Sequence, residues 1–273
     1  MKNKRELLTA ISIIFVFLIV ATTLIVHSQK QDDQNYRQQR IQQLQKIQQD
    51  VPIANYNELL PDNIEERTKR VKKNRVRNLK LQPPNDPRRF ALTEESESTY
   101  GLTPNDLHVE PAIPAKRSDA IIVGEVINGE AHLSEDKVSI YSEFAVRNLG
   151  VLKNTSPESF SPEKPVIVSR EGGGVRFPSG KVIFSFVLDR PMPKIGRIYA
   201  FFLKYSDETG FSIITAYELM QRQVFPLDGI VPTNGAIVRQ FAGHQSFKGA
   251  PEADFLNRVK AAIANNSDVF IRK

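Results

Sequence analysis

The chain has 273 residues and a net charge of +6, with 40% hydrophobic and 25% charged residues, 17 Pro, 14 Gly, no Cys and no Trp. That is room for one domain of ordinary size, or two small ones. The lack of cysteine excludes a disulfide scaffold, a thiol nucleophile, an iron–sulfur site and a thiolate zinc site, and the histidines at 27, 108, 132 and 244 share no metal-ligand spacing, so no cofactor is expected.

Charge and glycine divide the chain in the same way. Residues 1–82 hold 15 Lys/Arg against 8 Asp/Glu, whereas the remainder holds 22 against 23. All 14 glycines lie at or beyond Gly101. A basic, glycine-free front and a near-neutral, glycine-containing back read as two kinds of structure.

After a tail of residues 1–6, Leu7 to Val26 runs for 20 residues without a charge, Gln, Asn, Gly or Pro. As a helix it is about 30 Å long, the thickness of a bilayer's hydrocarbon core. The run is longer than the roughly 7–15 residues of a signal h-region, which favours a retained transmembrane anchor over 7–26. Val26-His27-Ser28 ends on a small residue, so secretion after cleavage near Ser28 stands as the alternative. Lys2, Lys4 and Arg5 on the short tail set the N-terminus in the cytoplasm and everything after the anchor outside it.

Residues 27–81 read as a polar, basic helical stalk. Ten Gln lie between positions 29 and 49, and Ile41, Leu44, Ile47 and Val51 form a narrow apolar stripe. Self-association through residues 36–51 would use that stripe, although it spans fewer than three heptads. A second helix is expected from Asp62, with Glu65 completing a D-x-x-E variant of the capping box. Eight of the 14 residues from Arg67 to Lys80 are basic. A solvated helix face, with Glu65 and Glu66 pairing to Lys69 and Arg70, is the favoured reading. Contact with an acidic envelope polymer or lipid headgroups comes second. Nucleic acid is not expected, because the run has no interleaved aromatics and lies outside the cytoplasm. Residues 82–117, punctuated by six prolines, read as a Pro-rich linker.

Residues 118–248 alternate strand patterns with turn signals. Candidate strands are 120–128, 138–147, 166–170, 181–188, 197–205, 211–219 and 237–241. Regular short strands without helices predict a small antiparallel OB-like barrel or sandwich. Gly124, inside the first strand, marks a bulge or barrel bend. A C-terminal helix over 249–273 follows, with Pro251 at its first position and Phe255, Leu256, Val259, Ala262 and Ile263 on its apolar face. The fold class is therefore a transmembrane helix and helical stalk followed by a mainly-β domain with a C-terminal helix.

Four strings carry a resemblance: Ser118-Asp119-Ala120-Ile121-Ile122-Val123-Gly124-Glu125-Val126; Val146-Arg147-Asn148-Leu149-Gly150-Val151-Leu152-Lys153-Asn154; Gly172-Gly173-Gly174; and Gly196-Arg197-Ile198-Tyr199-Ala200-Phe201-Phe202-Leu203. Their order resembles uncharacterised bacterial secreted or membrane-anchored domains, which are similar to the netrin/tissue-inhibitor class of OB-like barrels. The resemblance spans about residues 118–230 and implies a five-stranded barrel with extra strands. The inhibitors of that class act through a cysteine-bonded N-terminus, so protease inhibition does not carry over to this cysteine-free chain.

The sharpest local string runs from Arg170 through Gly172-Gly173-Gly174 to Gly180-Lys181. It lacks the G-x4-G-K-[ST] order and the following helix of a phosphate-binding P-loop. A glycine-rich hairpin loop is the favoured reading, and Arg170, Arg176 and Lys181 are the candidates for holding an anionic group. No nucleophile elbow or carboxylate pair appears, so no catalytic residue is assigned and an enzyme is not expected. The functional expectation is an anchored extracytoplasmic binding module for an envelope protein or polymer. A structural protein self-associating through its stalk is the alternative, and an envelope hydrolase with a site built from loops, using His132 or His244, the third.

Overall fold

A computed structural model describes residues 48–81, 91–102, 108–232 and 234–271, together with scattered positions between 35 and 46. The apolar segment 7–26, Ser28 and the basic tail lie outside the described residues. Among the described residues no helix is long and apolar enough to cross a membrane. Two compact units divide at residue 47, Met1–Ile47 and Gln48–Lys273. Described positions of the first from 35 to 46 are helical, as a Gln/Arg/Lys-rich stretch without Gly or Pro favours.

The second unit is mainly β. Its strands are β1 (Ile53–Asn55), β2 (Thr99–Gly101), β3 (Ala120–Leu133), β4 (Ile140–Asn154), β5 (Val166–Glu171), β6 (Gly173–Arg176), β7 (Val182–Val187), β8 (Ile198–Ser206), β9 (Gly210–Met220), β10 (Gln223–Pro226) and β11 (Ala250–Pro251). Helix α1 spans Ile64–Leu81 and α2 Glu252–Ala264. The larger sheet runs β11-β10-β9-β5-β4-β3-β8, and β8 also pairs with β9. The path of pairings β3-β4-β5-β9-β8 thus returns to β3. Four of its five ladders are antiparallel, and β5 meets β9 in parallel through Val168↔Phe211 and Ser169↔Ser212.

Register explains two separate apolar layers. Ile122 faces Phe201 and Phe201 faces Ala216, while Val126 faces Val146 and Phe144 faces Val168. All are buried and fill one side of the strands. On the other side Ile121 lies opposite Phe202, and Ala200 opposite Tyr217. There α2 lays down Phe255, Val259 and Ala262, beside Phe247. The expected C-terminal helix is present, with Pro251 as its N-cap and Glu252 as its first residue. Gly124 sits at a register shift, and a Cβ there would stand 2.9 Å from the Arg147 carbonyl oxygen, so the expected bulge needs glycine.

Segments expected as stalk and linker join this unit. β1 pairs in parallel with β6, and β2 with β7, making a four-stranded sheet β1-β6-β7-β2. Its core is Ala54, Val175, Phe177 and Ile183 against Ala131, Leu133 and Ile140. Ala112, Ile113 and Ala115, from the Pro-rich segment, are buried under α2. Val51, the last residue of the apolar stripe, is buried in this unit as well. Residues 237–241 do not form the seventh strand: Ile237 makes one bridge to Ile230, and Arg239–Phe241 is a 3-10 turn. An apolar pair, Ile237-Val238, is too short to hold a ladder.

The triple glycine is not the expected hairpin loop. It is where the chain leaves one sheet and enters the other, between β5 and β6, with φ of +104° at Gly172 and +153° at Gly173. The hairpin turn follows at 177–181 and uses Gly180. Ser142 Oγ donates to the Gly172 carbonyl at 2.7 Å, fixing the crossing to β4. A Cβ on Gly173 would lie 2.7 Å from Ile140 Cγ2. Gly173→Ala should therefore cost about 2–4 kcal/mol from a disfavoured backbone and overpacking. Gly196→Ala, also at positive φ but in open space, should cost about 1 kcal/mol. Urea midpoints of the two variants check this; equal losses would show that the crossing is not crowded.

Candidate functional site

β5 ends in Val168-Ser169-Arg170, and the following glycines turn the backbone away. Arg170 is 5% exposed and Asp228 fully buried. Arg170 Nη2 lies 2.8 Å from Asp228 Oδ1 and donates to Oδ2 at 2.9 Å, while Nη1 donates to the Pro191 carbonyl. This buried pair fastens residues after β10 to the end of β5. Gly229 N donates to the Asp189 carbonyl at 2.8 Å, and Gln245 Nε2 to the Asp228 carbonyl at 3.4 Å, continuing the attachment. The segment so held brings His244 onto β9.

His244 is 1% exposed. Its ring stacks on Tyr217 at 5.9 Å and 9°, and meets Phe241 edge-on at 5.1 Å. Burial pushes its pKa down to about 4, against a smaller opposing pull from Asp228, so the imidazole is neutral at neutral pH. Tyr217 donates its hydroxyl to the Ala112 carbonyl, and burial holds its phenol well above the ordinary value.

Beside this stack lies a cleft of about 480 Å³, lined among others by Arg117, Arg190, Lys204, Thr215, Phe241 and His244. Three buried polar atoms there have no hydrogen-bond partner: Arg190 Nε, Thr215 Oγ1 and His244 Nδ1. Buried polar groups are nearly always satisfied, and three around one cleft is a concentration that folding alone does not require. At the rim, Arg117 pairs with Glu110 and Asp268, each at 3.0 Å, and Lys204 with Asp119 at 3.0 Å. The Arg190 guanidinium lies over the Phe241 ring at 5.3 Å.

A second cluster sits under α1. Asn63 caps the helix, its Oδ1 accepting from Glu65 N at 2.9 Å and Glu66 N at 3.1 Å, so the start falls one residue beyond the expected Asp62 box. The expected Glu65–Lys69 pair forms at 2.6 Å. Arg70 does not join Glu66; with Lys73 it reaches buried Glu143 on β4, at 3.1 and 2.8 Å. The basic run is thus docked on the sheet by one face. His132 Nδ1 lies 2.6 Å from Glu58 Oε1, and its Nε2 lies 3.7 Å from Glu143 Oε2. A groove of about 390 Å³ runs along these charges. Unlike the cleft at His244, it presents cations already matched by carboxylates.

The structure does not gather the three residues singled out in the glycine-rich string. Arg170 is spent on Asp228. Arg176 is exposed on β6, where its carbonyl accepts from Tyr56 N at 2.9 Å. Lys181, at the hairpin turn, donates to the Glu94 carbonyl and to that of Ser96 at 3.1 Å. Arg190, Thr215 and Asp228 had no sequence signal of their own, and His244 is internal. Among the described residues no group of three or more His, Asp or Glu is placed to hold a metal. Comparison of the chain with known protein families, characterised proteins and solved structures finds no match.

Burial raises the Glu143 carboxyl, but Lys73 and Arg70 outweigh it and hold its pKa below the ordinary value. A depressed folded value means stability that is present above the unfolded pKa near 4.3 and lost as pH falls through the folded one. Urea unfolding at pH 6 and pH 3 should show this acid loss in the parent, and a smaller one in Glu143→Gln. At pH 6 the variant should itself lose about 3 kcal/mol, from cations left without their carboxylate. Identical acid profiles would mean that Glu143 does not anchor α1.

Proposed function

We propose that this chain is a single-pass, membrane-anchored extracytoplasmic binding module that holds its ligand without turning it over. Residues 7–26 are the anchor and Lys2, Lys4 and Arg5 the cytoplasmic side of it, on the length and charge asymmetry of the sequence. The ligand-carrying part is an OB-like barrel made of β3, β4, β5, β9 and β8. The cyclic order of pairings, with one short parallel ladder between β5 and β9, supports that reading. Fold likeness by itself carries no activity.

The observation that carries the binding role is the set of three buried, unpartnered polar atoms around the cleft at His244. Ligand pockets of about 300–1,000 Å³ pair an apolar lining with a few placed polar groups, and Ile214, Thr215 and Phe241 beside Arg190 and His244 fit that pattern. Self-association through residues 36–51 has less support, because Val51 is taken up by the β unit.

The test uses the full chain in detergent micelles, labelled at Ile and Thr methyl groups. A fragment mixture of cationic, neutral and anionic compounds should shift Ile214 and Thr215 together, while Ile53 on the other sheet stays in place. Fragments that move no cleft methyl would sink the binding reading.

A further inference from the structure

The charge around the cleft at His244 is not balanced within it. Arg117, Arg190 and Lys204 line it against a single carboxylate, Glu110. Two of those cations are matched at the rim: Arg117 by Glu110 and Asp268, Lys204 by Asp119. Asp228 and Asp189 are both fully buried; Asp228 is bonded to Arg170, and Asp189 precedes Arg190 in the chain. Among the described residues Arg190 forms no ion pair, and its Nε is among the unpartnered buried atoms.

The chemistry of the three unpartnered atoms sorts ligand classes. Arg190 Nε has a proton to donate and no capacity to accept. Thr215 Oγ1 can donate, and a neutral imidazole donates from whichever nitrogen carries its proton. A cationic ligand would face an arginine that forms no ion pair among the described residues. A neutral ligand would leave that charge unmatched in a partly dry site, where burial of an unpaired charge is costly. An oxygen anion accepts from Arg190 and Thr215 and neutralises the arginine, with the stronger hydrogen bonds that ionised partners make. Pro111, Ile214 and Phe241 supply apolar wall beside them.

We propose that the cleft beneath His244 binds an oxyanion, a carboxylate or a phosphate, carried on a small apolar body. Arg190 and Thr215 hold the charged oxygens, and the neutral His244 ring, which Tyr217 and Phe241 orient, forms the wall beside them. This rests on the reading of the cleft as a binding site.

The full chain in detergent micelles, observed through the Ile214 and Thr215 methyl resonances, is titrated with four probes of one body: benzoate, phenylphosphonate, benzamide and benzylamine. Benzoate or phenylphosphonate should bind at least about tenfold more tightly than benzamide, the difference expected of a charge-assisted contact, and whichever of the two is tighter identifies the oxyanion. Benzylamine should not bind. Arg190→Gln should weaken the oxyanion about tenfold or more, and Lys181→Gln, a cation of the other sheet, should leave it unchanged. Should Arg190→Gln fold poorly, Thr215→Val removes one hydrogen-bonding group at constant volume and should weaken binding about threefold or more. Benzamide binding as tightly as benzoate would overturn the oxyanion while leaving the cleft a binding site. No shift with any of the four probes would overturn both.

Discussion

One buried ion pair, Arg170 with Asp228, sets the geometry on which the cleft depends. Both side chains are internal, and the pair joins the last turn of β5 to the chain that follows β10. Taking two charges out of water costs several kcal/mol each, so such a pair contributes little net stability unless its geometry and further bonds are good. Here Arg170 gains the Pro191 carbonyl as a second acceptor beside Asp228 Oδ2. The consequence is positional: the 3-10 turns over residues 239–247 are held near β9, and His244 is pressed onto Tyr217 rather than left at the surface.

The same string of residues solves two problems in sequence. Arg170 turns inward to Asp228, and two residues later Gly172 and Gly173 redirect the backbone into the second sheet through torsions that a side chain would resist. What looks like a phosphate loop by composition is a sheet-to-sheet crossing whose one buried cation is already paired. The anion site we propose lies elsewhere, around Arg190, which forms no ion pair among the described residues. A surplus of partners, not of charges, separates the two regions, and the groove under α1 follows the same rule: Arg70 and Lys73 are matched by Glu143.

The sequence made the β class, six of seven strands, the bulge at Gly124 and the C-terminal helix legible, because each has a local signature of alternation, a misplaced glycine or a 3.6-residue apolar face. It did not show that Ala54, Ala112 and Ile113 belong to cores, since short apolar runs between prolines and polar residues carry no period. Nor did it show that Arg70 and Lys73 dock. A basic helix reads the same whether its partner is water or a glutamate 70 residues further along the chain. The cleft was illegible for a similar reason. Arg190, Thr215 and His244 come from a loop, a strand and a 3-10 turn, and only tertiary structure places them together.

The cleft depends on His244 being a buried, neutral imidazole packed on β9. The ¹⁵N resonances of its ring, followed from pH 8 to pH 3.5 in the full chain, test this most directly. A ring neutral throughout the physiological range that takes up its proton only near pH 4 is the result expected of its burial. Titration near 6.5, the value of a solvated histidine, would mean that the 3-10 turns over residues 239–247 do not close over β9 and that no cleft of this kind exists.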